Sequence, residues 1–329
     1  MSYTSENEIP KTTNIAHVRE VIELLGYHKA KDGLRIPDRV GSYYWYDRND
    51  YKSWSGVELD LYSKQDKILV STRSTVSRSY WDLLHQNKTI KFLRDLFGGC
   101  FYTDAGKNRY WRPDGAPPSP TASGCFFAIW RFKNALMKVN IYLDCRKLDA
   151  PIARENSSGL RFMDELNPRL LSNNLILPYV VAVWEDYFRM LFEVLFTCSN
   201  NKEKVLKEVR PTYIQMEQIL AKNQSIERAI TDSLYFQRPS IIVKNFKLID
   251  NNLDVGTPLK KPYKNRKKKL LEVIEGHVLD RHRFVHSGEM NTALFDKQIK
   301  ILLEDFSVAA RRIYEYLGEY YGFHPSDDY

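Results

Sequence analysis

The sequence predicts an α+β N-terminal domain followed by an all-α helical bundle. Alternating aromatic and β-branched segments lie in the first half, whereas the second half has long runs with apolar residues at helical spacing. A chain of 329 residues is also long enough for two separate cores. The predicted organisation is a flexible leader at 1–14, an α+β domain at 15–150, a linker at 151–170, a helical bundle at 171–322 and a tail at 323–329.

Composition indicates a globular protein with polyanionic partners. Hydrophobic residues make up 43% and charged residues 27% of the chain, which separates it from disordered and fibrous proteins. The net charge of +8 favours nucleic acid among possible partners. The longest apolar stretch, 178–198, contains four charged residues, so we expect no membrane span. The polar N-terminus does not resemble a signal peptide, and we expect a cytoplasmic protein.

Cysteine and histidine positions argue against a metal site. The four cysteines are scattered without a CxxC pair, so we expect reduced thiols and no disulfide framework. Five histidines show no ligand spacing with one another or with cysteine: His17, His28, His85, His277 and His324. We therefore predict neither a metal nor another cofactor.

The first half contains helical and strand patterns in turn. A short helix is predicted at 17–27, and a longer one at 80–97 that ends at Gly98 and Gly99. The predicted strands are 43–47, 56–62, 67–73, 100–104, 124–132 and 135–144. The aromatic residues in this half are consistent with base stacking or, as is more common in strands, with core packing; they include Tyr43, Tyr44, Trp45, Tyr46, Trp54, Trp111 and Trp130.

In the second half, residues 178–198 form a predicted helix that is apolar on most sides. Its polar residues, Glu185, Asp186, Arg189 and Glu193, share one stripe. That stripe is either an ion-paired solvent face, given the i,i+4 spacing, or one wall of a site. Beyond it, 241–249 is the only strand-like run.

Residues 269–286 form a second predicted helix with a charged residue on its apolar face. Leu270, Ile274, Val278 and Val285 define that face, and Arg281 lies near its middle. A guanidinium cannot lose its charge, so burial there requires a carboxylate, a bound anion or an oligomer interface. Gly288 ends this helix, and Asn291 is placed to cap a last one that runs to Tyr321.

A basic segment precedes the helix that contains Arg281. Lys264, Arg266, Lys267 and Lys268 lie within residues 259–269. They are candidate contacts to an RNA backbone. A solvated loop is the alternative, because charge runs commonly have no further role.

The sequence RHRFVH at 281–286 resembles the R-x4-6-H motif of HEPN domains, in the form where a polar residue, here His282, follows the arginine. Those domains are helical bundles with a long first helix and the motif near the end of a later one, which is the order predicted here. Arg78 and His85 also fit the loose pattern, but they lie in the strand-rich half.

These side chains suit RNA cleavage without a metal. Attack by the ribose 2′-hydroxyl on the adjacent phosphate needs a proton acceptor, a proton donor and a cation. We assign proton transfer to His286, phosphate binding to Arg281, and orientation or a second acid–base role to His282. The expected products are a 2′,3′-cyclic phosphate and a 5′-hydroxyl.

Residues five apart on a helix lie about 140° from one another, so a local break or a second copy must bring Arg281 and His286 together. The resemblance implies a homodimer through the helical domain. Glu185 or Asp186 is the expected carboxylate partner of Arg281.

The resulting hypothesis is a metal-independent endoribonuclease that cleaves an RNA substrate. The resemblance further implies a regulated toxin or antiviral defence effector, with a protein or nucleic-acid trigger at the N-terminal domain. That domain would act as a sensor or would select the substrate. The alternatives are a non-catalytic RNA-binding module and an oligomerising interaction protein.

Overall fold

The structure is a computed structural model that describes residues 2–31, 36–47, 51–113 and 115–325. It divides into two compact units, of which the first ends at Ser123 and the second spans Gly124–Pro325. The second unit thus begins well before the linker expected at 151–170, because the residues that follow Gly124 are already helical. Of the predicted tail, 326–329 lie outside the described residues.

Seven strands in the described part of the first unit form one antiparallel sheet, in the order β2-β3-β4-β5-β1-β6-β7. They are β1 Tyr3–Pro10, β2 His28–Lys29, β3 Arg39–Trp45, β4 Val57–Ser63, β5 Lys67–Ser74, β6 Cys100–Thr103 and β7 Gly106–Lys107. The strands predicted at 43–47, 56–62, 67–73 and 100–104 correspond to β3, β4, β5 and β6. The α+β class of this half is confirmed.

The expectation of a flexible leader over residues 1–14 is wrong, because β1 lies between β5 and β6 in the sheet. Its inward-facing side chains include two polar ones. The Ser5 hydroxyl lies 2.6 Å from the Thr72 hydroxyl, and the Asn7 amide donates to the Ile90 carbonyl at 3.1 Å. Because two of the buried side chains of β1 are polar, its sequence lacks the apolar alternation of a typical strand and resembles a polar leader.

Two helices of this unit, α1 Ile15–Leu24 and α2 Tyr80–Phe97, contribute to its core. Val18 and Ile22 of α1 and Leu93 of α2 are fully buried in one cluster with β-strand residues. Ser79 and Asp82 form a reciprocal capping box at the start of α2, which satisfies two backbone donors. The aromatics Tyr43, Trp54 and Trp111 are buried, so they serve the core.

Ten helices are described from residue 120 onward. They are α3 Pro120–Cys145, α4 Arg161–Glu165, α5 Pro168–Cys198, α6 Glu203–Glu208, α7 Tyr213–Leu220, α8 Ile226–Asp232, α9 Pro239–Ile249, α10 Thr257–Lys260, α11 Leu270–Ser287 and α12 Asp296–Tyr321. The all-α class of this region is confirmed. None of the described helices is both long and apolar enough to cross a bilayer.

The strands predicted at 124–132 and 135–144 are wrong, since both segments belong to α3. Their aromatic and β-branched content favours strands, but the buried positions recur at helical spacing: Ala122, Cys125, Phe126, Ile129, Phe132, Leu136, Val139 and Leu143. The strand-like run at 241–249 is likewise helical and forms most of α9.

The long helix α5 packs against other helices through buried aromatic and aliphatic residues. Trp184, Tyr187, Phe188, Leu191 and Phe192 are all at most 2% exposed. The Trp184 ring contacts rings of α3 and α12, and Phe188 contacts Phe246 of α9. The helix begins ten residues before the predicted start at Pro178, where Asn167 caps it by accepting from the Arg169 amide.

An ionic cluster joins the first turns of α5 and α12 to the end of α3. Asp296 accepts hydrogen bonds from Arg146, from Arg169 at 2.5 Å and from the Asn173 amide at 3.0 Å. Burial raises the pKa of Asp296, but the hydrogen bonds from Asn173 and Arg169 and the charges of both arginines outweigh it and leave the pKa below its ordinary value. The ionised carboxylate therefore stabilises the fold.

We predict that Asp296→Ala lowers the free energy of unfolding by about 3 kcal/mol, because it leaves two largely buried guanidinium groups uncompensated. Urea denaturation followed by helical signal measures the change. Asp144→Ala is the control, since the Asp144–Lys300 pair is more than half exposed and should contribute below about 1 kcal/mol. Equal losses in the two variants would contradict the assignment.

Candidate functional site at the end of α11

The motif residues occupy the last two turns of α11. The helix is continuous from Leu270 to Ser287 and ends at Gly288, whose left-handed φ of 67° forms the C-cap. Because no break separates Arg281 from His286, one copy of α11 points them about 140° apart. Of the two ways to bring them together, a local break in the helix is excluded.

The apolar face of α11 is buried up to Val278 and becomes exposed at the motif. Leu270, Ile274 and Val278 are buried, whereas Val285 is 47% exposed. Arg281 is half-buried and His286 is exposed. The expectation that Arg281 lies in the middle of a buried face is thus corrected, because the helix extends past its packing partners.

Arg281 has no carboxylate partner among the described residues. Its Nε atom is buried without a hydrogen-bond partner. Because the remaining guanidinium nitrogens also form no ion pair within the described chain, the cation is available for an anionic ligand.

The predicted pairing of Arg281 with Glu185 or Asp186 is wrong within one chain. Glu185 accepts from Arg189 at 3.1 Å and from Gln237 at 2.9 Å. Asp186 lies about 100° further around α5 and accepts from Arg131 of α3 at 3.1 Å. Both carboxylates therefore face neighbouring segments other than α11.

His282 and His286 form a pair on one face of the helix. They are one turn apart, and their ring centroids are 5.7 Å apart with the planes 13° from parallel. Burial lowers the pKa of His282, and the positive charges of Arg281, Arg238 and His286 lower it further. Its imidazole is therefore neutral near pH 7 and able to accept a proton.

Arg238, which the sequence reasoning did not single out, belongs to this neighbourhood. It is the exposed residue before Pro239 at the start of α9. No motif or spacing marks it, because its proximity to His282 arises only when α9 and α11 pack together.

The basic segment is partly neutralised. Arg266 donates two hydrogen bonds to the buried Asp305, at 2.9 and 2.7 Å, and Lys264 pairs with Glu304 at 2.5 Å. Lys267 and Lys268 are exposed and have no ion pair in the described part of the chain. Of the four predicted RNA contacts, these two remain unengaged.

Arg78 and His85, which also fit the R-x4-6-H pattern, pack against aromatic rings. The Arg78 guanidinium lies over the Tyr3 ring at 3.4 Å, and His85 stacks on Trp45 with centroids 3.7 Å apart. Burial, with the nearby charge of Lys88, lowers the pKa of His85 to about 3.

No family model, curated protein or solved structure matches the chain. Among the residues that the structure describes, no three His, Cys, Asp or Glu side chains are grouped to hold a metal ion.

We predict that Arg281→Ala raises the pKa of His282 toward 6.5 without reaching it, because the contribution of burial remains. A histidine titration followed by NMR measures the change. Arg283→Ala, which removes the exposed arginine that follows His282, should leave the pKa of His282 unaltered, because the charge of Arg283 is not one of those that lower it. An unchanged titration in Arg281→Ala would show that the two side chains are not close.

Proposed function

We propose that this protein is a metal-independent endoribonuclease whose site includes the end of α11. The observation that carries the proposal is that one accessible helix end has a guanidinium without a carboxylate partner on one side and a pair of imidazoles on another. This set supplies a phosphate-binding cation and two groups able to exchange protons near neutral pH. The resemblance of residues 281–286 to the HEPN motif supports the same assignment.

In the proposed reaction, Arg281 binds the non-bridging oxygens of the scissile phosphate. Neutral His282 accepts the proton of the 2′-hydroxyl as its oxygen bonds to phosphorus. Protonated His286 donates a proton to the 5′-oxygen as the phosphorus–oxygen bond breaks. The products are a 2′,3′-cyclic phosphate and a 5′-hydroxyl, and DNA is spared because it lacks the nucleophile.

A second copy of the chain completes the site in this proposal. Arg281 and His286 point in different directions on the continuous helix, so they cannot both reach one phosphate from the same copy. The α11 helix of a second copy must supply the other residue. The helical unit is accordingly the dimerisation unit. The N-terminal unit then has the role of a sensor that restrains a toxic or antiviral nuclease until a protein or nucleic-acid trigger binds.

A non-catalytic RNA-binding module is the second candidate. Lys267 and Lys268 favour it, because both are exposed and unpaired in the described chain and suit contacts to phosphate without any chemistry. RNA affinity without cleavage under all conditions would select this candidate.

We predict that the wild-type protein cleaves labelled total RNA in EDTA and that His286→Ala reduces the rate by about 10²- to 10⁴-fold, the usual contribution of a general acid or base. Fragment ends are then identified chemically as cyclic phosphate or not.

His17→Ala serves as the matched control, because His17 is an exposed histidine in the N-terminal unit. Cleavage that persists in His286→Ala at the wild-type rate would remove this residue from the mechanism. Ends other than a cyclic phosphate would contradict attack by the 2′-hydroxyl.

A further inference from the structure

The segment that precedes α9 is fixed on both sides of Arg238. Phe236 is fully buried, with ring centroids 5.5 Å from Phe192 and 6.5 Å from Phe246. The Gln237 amide donates to Glu185 at 2.9 Å, and Pro239 is buried. The backbone of Arg238 therefore has a defined position, although its side chain is exposed.

The start of α9 lies against the face of α11 that presents both imidazoles. The Ser240 hydroxyl donates to Glu275 at 3.1 Å. On a regular helix, Glu275, His282 and His286 fall within a sector of about 40°. Arg238 precedes Ser240 by two residues, and its charge acts on the His282 imidazole; the contact and the charge effect together place it near the histidine face.

Arg238 also has no carboxylate partner among the described residues. Glu185 instead accepts from Arg189 and Gln237, and Glu275 accepts from Ser240. An exposed arginine with a fixed backbone and no acid to neutralise it is a suitable phosphate ligand.

We infer that Arg238 is a second phosphate-binding residue of the α11 site and that it contacts the RNA backbone from the α9 side while Arg281 contacts it from α11. The inference rests on the proposed function. It identifies the ligand as a polyanion long enough to contact two arginines, one that precedes α9 and one in the last turns of α11.

The Glu185 carboxylate has a different role in this arrangement from the one its position in the sequence suggested. Glu185 accepts a hydrogen bond from Gln237 and thereby positions the residue next to Arg238. Because Glu185 is engaged in this way and with Arg189, it does not neutralise Arg281.

The experiment measures binding rather than cleavage. A fluorescein-labelled single-stranded oligouridylate with 2′-O-methyl groups, which cannot be cleaved, is titrated with full-length protein over a range of salt concentrations. The variants are Arg238→Ala, Arg238→Lys and Arg281→Ala, with Arg228→Ala as the matched control because Arg228 is an exposed arginine on α8. Circular dichroism verifies that each variant is folded.

We expect Arg238→Ala to weaken binding roughly tenfold, as for a lost charged hydrogen bond, and to lower the salt dependence by about 0.7 in log–log slope. Arg238→Lys should retain the slope, because the charge remains, and Arg228→Ala should match the wild type. If Arg281→Ala weakens binding but Arg238→Ala does not, this inference is wrong and the proposed function stands. If neither weakens binding, the α11 site does not bind RNA and both fail.

Discussion

The helical unit depends on the burial of α5. This helix buries apolar side chains around most of its circumference, and exposing its buried aromatic residues would cost about 1.5–3 kcal/mol or more of transfer free energy for each. Its rings contact α3, α9 and α12 through Phe132, Phe246 and Phe306. Because α9 and α11 also pack on α5, its burial fixes the relative positions of Arg238 and the motif.

The last turns of α11 can remain charged because they extend beyond that core. Val278 is the last fully buried residue, and Arg281 and His282 are only half-buried. Partial exposure keeps the cost of an unpaired guanidinium low compared with full burial. The C-terminal end of the helix dipole also favours positive charge, which suits His286 in its last turn. These conditions allow a cationic site without a neutralising carboxylate.

Much of the fold follows from periodicity, whereas the details of the site do not. Clear apolar patterns predict α2, α5, α11, α12 and strands β3 to β6. The strand β1 is missed because its buried residues include the polar Ser5 and Asn7. The helix α3 is predicted as strands because of its aromatic and β-branched residues. The motif at 281–286 is visible in the sequence. The partners of Glu185 and the proximity of Arg238 depend on how α9 packs against α5 and α11, which no local pattern encodes.

The central claim is that Arg281 from one copy and His286 from another act in one site. The most direct measurement mixes Arg281→Ala and His286→Ala proteins, each inactive alone, and assays RNA cleavage after subunit exchange. The account predicts that mixed dimers regain part of the wild-type activity, because one of their two sites contains both residues. Inactivity of the mixture, with mixed dimers shown to form and wild-type protein active in parallel, would contradict it.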